Sequence, residues 1–217
     1  MKKYDIALFD LDGTLSESGE GILDSVRDIF RIMKRPLPDE KTIKSFIGPP
    51  MYDSLKRCGF SDNDAEKGVE IYKQSFVNNG IYKNRVYDGI NEVLAELKAN
   101  NVLLSVATTK YQPFADKIIK MLNLDRFFDF IGGATADKSR RTKEKVIRYA
   151  VENLNADNNS RIIMVGDTKF DAEGAAKVGC DFIGVLYGYG TKAEMQDFYK
   201  NAVFVNKPSE ITNIILK

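Results

Sequence analysis

Residues 10–15 read D-L-D-G-T-L, and they follow directly on the apolar run Ile6, Ala7, Leu8, Phe9. This spacing predicts a short buried strand that ends in two carboxylates and a glycine turn. On a strand, Asp10 and Asp12 would project to the same side, and Gly13 lets the chain turn sharply. Two like charges ~4 Å apart repel by about 4 kcal/mol when the effective dielectric is about 20. A structural turn gains nothing from such crowding, so a cation is expected between the two acids. The plainer alternative is an acidic turn after a strand, which Asp10 and Gly13 alone would satisfy.

Outward from this stretch, strand-like runs alternate with helical ones. The apolar segments at 4–10, 102–108, 128–133, 161–167, 181–186 and 202–205 are nearly continuous in Val, Ile, Leu and Phe, as expected of strands covered on both faces. Between them, Ile90, Val93, Leu94 and Leu97 recur at helical spacing. So do Ile118, Met121 and Leu122, and Val146, Ile147, Ala150, Val151 and Leu154. The alternation predicts an α/β fold, a doubly wound parallel sheet with right-handed crossovers. Ligands of such sheets sit beyond the carboxyl ends of the strands, so Asp10, Thr108 and Asp167 should converge there.

Residues 16–85 break the rhythm. Ile22, Val26, Ile29, Phe30 and Met33 share one helical face, P-L-P interrupts at 36–38, and helical patterns follow at 39–47, 51–57 and 62–78 with a turn at Gly48, Pro49 and Pro50. The expectation is a helical insert at 16–85 within a core made of 1–15 and 86–217. The alternative is that these helices merely pad the sheet.

D-L-D-G-T resembles the first motif of the haloacid dehalogenase superfamily, in its phosphotransferase branch, and the later motifs resemble the phosphoglycolate-phosphatase-like group. The likeness runs along essentially the whole chain and is loosest in the insert. It implies a Rossmann-like core with an inserted α-helical cap domain, and a magnesium-dependent phosphatase acting on a small phosphate monoester. By the same resemblance Asp10 is the nucleophile, forming an aspartyl-phosphate. Asp12 is the general acid and base, its backbone carbonyl also a ligand of Mg2+. G-D-T-K-F-D at 166–171 is similar to the family's second acidic motif, which makes Asp167 a metal ligand and Asp171 a ligand through water or an orienting group. A helix cap is the competing explanation for Asp171.

V-A-T-T-K at 106–110 resembles the strand-ending Ser/Thr motif, with Thr108 favoured for the side-chain contact to a phosphoryl oxygen and Thr109 and Gly13 beside it. The doublet leaves a one-residue ambiguity. R-R-T-K-E-K at 140–145 occupies the place of the family's lysine. Lys143 is the choice, Lys138 and Lys145 are the alternatives, and Thr142 is a candidate helix cap. Lys110 is placed near the mouth of the site, Arg140 and Arg141 read as a basic loop, and G-Y-G-T-K at 188–192 fits no phosphate-loop spacing and reads as a turn. A dehalogenase is the poorer match, since that branch lacks the second acid. A phosphomutase on the same scaffold, or a catalytically silent binding or regulatory protein, are the alternative functions.

Composition narrows the chemistry further. The 217 residues contain no histidine, which excludes Ser-His-Asp and Cys-His pairs, histidine bases and imidazole metal sites. Oxygen ligands alone favour a hard cation such as magnesium. The formal net charge is +1, giving no basic footprint for nucleic acid. No apolar run reaches the ~20 residues of a spanning helix, and the M-K-K start lacks the apolar region of a signal peptide. Cys58 and Cys180 stand alone, with no support for a disulfide framework or zinc site. The expectation is a cytoplasmic monomer or weak homodimer that meets a small phosphorylated metabolite and neither nucleic acid nor membrane.

Overall fold

The computed structural model describes the whole chain apart from Met1, Lys138, Asn155, Ala156 and Asn158. In chain order its elements are β1 (Ile6–Phe9), β2 (Ser16–Glu17), α1 (Gly19–Ile32), α2 (Glu40–Lys44), α3 (Met51–Arg57), α4 (Asp62–Asn78) and β3 (Arg85–Val86). There follow α5 (Ile90–Ala99), β4 (Leu103–Tyr111), α6 (Gln112–Met121), β5 (Phe130–Ala134), α7 (Lys143–Asn153) and β6 (Ile162–Gly166). The chain closes with α8 (Lys169–Val178), β7 (Asp181–Val185), α9 (Lys192–Phe198), β8 (Val203–Val205) and α10 (Ile211–Leu216). Two compact units result, Met1–Glu17 with Val86–Lys217, and Ser18–Arg85.

The first unit is built on a six-stranded sheet in the order β5-β4-β1-β6-β7-β8, every neighbouring pair parallel. β1 is central and wholly buried, which is why its four residues are all apolar. From β1 the chain builds outward through β4 and β5, then crosses back to lay down β6, β7 and β8 on the other side. The strand order therefore reverses between β1 and β6, and such a switch point opens a crevice at the carboxyl ends of the strands. Phe9 pairs with Val165 and Asp10 N–H donates to Val165 O at 2.9 Å, so the residues after the two strands emerge side by side.

Helical stripes cover the sheet largely as their spacing predicts: Ile90, Val93, Leu94 and Leu97 of α5, and Val146, Ile147 and Ala150 of α7, are all buried. α6 differs. It buries Phe114, Ala115, Ile118 and Ile119, while Met121 is the last helical residue and Leu122 the cap, because the chain turns at Asn123 with φ +56°.

The second unit is helical, α1–α4 closing on a single helical turn at 80–83. Ile22, Val26, Ile29 and Phe30 line the inner face of α1, and Phe30 meets the rings of Phe46 and Phe60 edge-on at 6.2 and 5.5 Å. Arg35 lies over Phe60 at 4.1 Å and pairs with Asp64 at 2.9 Å. α1 approaches the 80–83 turn so closely that a methyl group on Gly21 would overlap the Gly80 carbonyl. The two-residue strands β2 and β3, which the helical reading of 16–85 did not anticipate, pair with each other.

Candidate active site

At the switch point the strand ends present their polar residues together. Asp10 leaves β1, Thr108 lies near the end of β4 and Asp167 follows β6; all three are buried. Asp171 is the third residue of α8 and is fully buried. Asp10, Asp167 and Asp171 each offer a carboxylate oxygen, and these oxygens lie within 4.8 Å of one another. Lys143, the first residue of α7, reaches this group with Nζ 2.9 Å from Asp10 Oδ1 and 2.7 Å from Asp171 Oδ1, and donates to Ala107 O at 2.9 Å. Thr142 caps α7, its hydroxyl accepting the Lys145 N–H at 3.5 Å, and this sets Lys143 at the inward start of the helix. Lys145 itself turns to Ser139 O at 2.8 Å, and Lys138 lies outside the described residues.

The two carboxylates of the opening stretch pair with different lysines. β1 ends at Phe9, so residues 10–16 form a turn in which the alternation of a strand no longer applies. Leu15 and Ser16 both donate to Leu11 O, and Gly13 donates to Ser16 O at 2.8 Å. Each carboxylate consequently has its own lysine: Asp10 pairs with Lys143, and Asp12 with Lys110, whose Nζ lies 3.0 and 2.9 Å from the two Asp12 oxygens.

Asp167 is held at both oxygens. Thr14 Oγ1 donates to Oδ1 at 3.0 Å and the Tyr189 N–H donates to Oδ2 at 2.8 Å. The loop of Gly188, Tyr189 and Gly190 wraps this carboxylate so tightly that a Cβ at either glycine would overlap Asp167 atoms, and Gly13, at φ +83°, would overlap Asp167 Oδ2 if it carried one. The glycines serve close backbone approach. Thr14 lies in D-L-D-G-T and 188–192 reads as a turn, but neither reading gives them the contact with Asp167. The sole sequence signal was a pair of glycines two apart following a buried strand, and that spacing matches no phosphate loop. Asp171 does two jobs at once: Oδ2 accepts the Thr168 N–H at 2.9 Å and hydroxyl at 2.8 Å, capping α8, while Oδ1 faces Lys143. That contact is an ion pair by distance, but Oδ1 makes no aligned hydrogen bond.

Thr108 Oγ1 accepts the Lys110 N–H at 3.2 Å, and Thr109 beside it is half-buried. Arg140 is structural: Nε donates to Gly133 O at 2.7 Å and the guanidinium stacks 3.5 Å above Tyr149.

Electrostatically the group is out of balance. Burial, then the charges of Asp171 and Asp12, push the Asp10 carboxyl up to about 7 despite the opposing pull of Lys143. Burial together with Asp171 and Asp10 raises Asp167 well above the carboxylate range. Burial works against the Lys143 charge, yet Asp10 and Asp171 outweigh it and raise the ammonium. Three carboxylates face one ammonium, two charges short of balance when all are ionised. A dication would supply that deficit, and the clustered carboxylate oxygens of Asp10, Asp167 and Asp171 suit a hard ion such as Mg2+. The residues therefore fit that group.

The family model described as haloacid dehalogenase-like hydrolase matches residues 7–185. The chain is 38% identical to a 5'-nucleotidase of Pseudomonas aeruginosa over 197 residues, covering 89% of this chain and 88% of that protein. It is 36% identical over 185 residues to the tyrosine-protein kinase PtkA of Mycobacterium tuberculosis, 85% of this chain but 63% of that one; the chain spans less than two thirds of that relative's length. Among solved structures, a "predicted phosphatase" from Clostridium acetobutylicum superposes with a TM-score of 0.90 at 37% identity, covering 97% of each chain.

Proposed function

The chain belongs to the haloacid dehalogenase-like hydrolases, and from that premise we propose that it is a phosphoric ester hydrolase that cleaves a small phosphate monoester, with Mg2+, through an aspartyl-phosphate on Asp10. The observation that carries this reading is the convergence of Asp10, Asp167 and Asp171 on one buried point with Lys143.

Leu11 N–H and Lys143 both address Asp10 Oδ1, at 2.7 and 2.9 Å. They orient the carboxylate and leave Oδ2 to attack phosphorus. Asp10, Asp167 and Asp171 would hold the metal, with the Asp12 carbonyl as a further ligand. When bound, the ion neutralises the phosphoryl oxygens and lets an anionic nucleophile approach an anionic substrate. Lys143 adds a fixed positive charge beside the same oxygens. Thr108 and Thr109 bind the phosphoryl group. Asp12 protonates the leaving oxygen and then takes a proton from the attacking water. Gly13 contributes room for Asp167, since its N–H is taken by Ser16 O.

The helical unit Ser18–Arg85 occupies the place in the chain that a cap insert takes in the family, and we assign substrate selection to it. The substrate class is a small soluble phosphomonoester such as phosphoglycolate, a sugar phosphate or a nucleoside monophosphate. The test is phosphate release from a panel of phosphorylated metabolites with Mg2+ and with EDTA. Free phosphate in the Mg2+ arm alone supports the reading. An isomeric phosphate as product, or phosphate passed to a protein tyrosine without release, contradicts it.

A further inference from the structure

β4 and β5 pair in step as far as Ala107 opposite Gly132; the next pair is Tyr111 opposite Ala134. Thr108, Thr109 and Lys110 therefore lie opposite Gly133 alone. Bulges of this kind re-aim side chains next to active sites. This one is accommodated by a glycine, for a Cβ at Gly133 would come 2.8 Å from Gln112 Cα and 3.0 Å from Lys110 O. Its product is a lysine aimed inward: the Lys110 side chain is 5% exposed, and Nζ spans both oxygens of Asp12, itself 15% exposed.

A buried ion pair is weak evidence for stability, because desolvating both charges offsets their attraction and an apolar side chain serves folding as well. The Asp12 carboxylate is also not one of the three clustered carboxylates of Asp10, Asp167 and Asp171, where Lys143 supplies the positive charge. We propose that Lys110 is a positioning residue for Asp12, fixing the plane and direction of its carboxylate for proton transfer. The proposal rests on the role given to Asp12 above.

In the first half-reaction the Asp10 oxygen–phosphorus bond forms, the bond from phosphorus to the leaving oxygen breaks, and the Asp12 proton passes to that oxygen. In the second, water oxygen bonds to phosphorus, the Asp10–phosphorus link breaks, and the proton of water goes to Asp12. Monoester and water thus become alcohol and phosphate. Lys110 exchanges no proton. It holds the group that does, so its loss should matter most where the leaving oxygen needs protonation most.

The experiment compares kcat and KM of wild type, Lys110→Met, Asp12→Asn and the double variant on two substrates. One is p-nitrophenyl phosphate, whose leaving group departs without help. The other is an alkyl phosphate that the wild type turns over. Lys110→Met should lower kcat on the alkyl phosphate on the order of tenfold more than on the aryl phosphate, with KM little changed, and should add nothing in the Asp12→Asn background. Equal loss on both substrates, a raised KM at unchanged kcat, or an additive effect in the double variant overturns the role of Lys110. If Asp12→Asn itself shows no selectivity between the substrates, the assignment of Asp12 fails and Lys110 with it. Should Lys110→Met not fold by circular dichroism, Lys110→Arg is read instead. Its planar fork keeps the charge but shifts the contact, so the same selectivity in smaller measure is expected, and equal loss again overturns the role.

Discussion

At Asp10, burial and neighbouring charge oppose the ionised form that the proposed nucleophilic attack requires, and Lys143 offsets part of that; a dication at the site would offset more. Asp10→Asn removes the proposed nucleophile while nearly preserving shape, so kcat is expected to fall by about three orders of magnitude or more with the circular dichroism spectrum unchanged. Full activity in that variant would remove Asp10 from the chemistry. Gly13→Ala tests the packing around Asp167. At φ +83° any side chain is strained, and a methyl would overlap Asp167 Oδ2, so urea unfolding should show a loss of about 1–3 kcal/mol, and calorimetry a weaker Mg2+ affinity. At this scale the acids were legible because D-L-D-G-T and G-D-T-K-F-D carry their own spacing. The partners were not. Lys110 reaches Asp12 across 98 residues, and Tyr189 serves Asp167 through a backbone N–H that no side-chain pattern reports.

Among the elements, the strand ends and the bulge in β4 decide where chemistry can occur. β1, β4 and β6 were readable as apolar runs ending in polar residues, and their parallel pairing follows from the alternation with helices. The bulge was not readable. It arises from a mismatch in register between β4 and β5 that depends on Gly133 lying opposite, and a single strand's sequence holds no register. Gly133→Ala would place a methyl against the Gln112 and Lys110 backbones. Overpacking of this sort costs about 1–3 kcal/mol, and because the bulge carries Thr108 and Lys110, kcat should fall with it. Stability lost without any loss of kcat would separate the bulge from the site. In α6 the stripe holds at its start, with Ile118 fully buried, while Met121 and Leu122 at the helix end, next to the turn at Asn123, are half-buried.

For the whole molecule, the reversal of strand order between β1 and β6 brings residues 10, 108, 143, 167 and 171 together, and the charge deficit there links folding to pH and metal. Asp10 moves from an ordinary 3.8 to about 7 in the folded state, so the metal-free fold binds the proton more tightly than the unfolded chain. Stability from this group is fully present below pH 3.8 and is lost as pH rises toward 7. A dication that pairs with the ionised form reverses the trend. The expected result is a Mg2+-induced rise in the unfolding midpoint that is larger above pH 7 than near pH 5, measured against EDTA; an equal rise at both would argue against binding at these carboxylates. The most direct test of the account is to quench the turning-over protein in acid, reduce the acyl phosphate with borohydride and map the modified residue by mass spectrometry. Asp10 is expected to be reduced to homoserine, with no such product when substrate is withheld. An unmodified Asp10 under full turnover, or modification at another carboxylate, would contradict it.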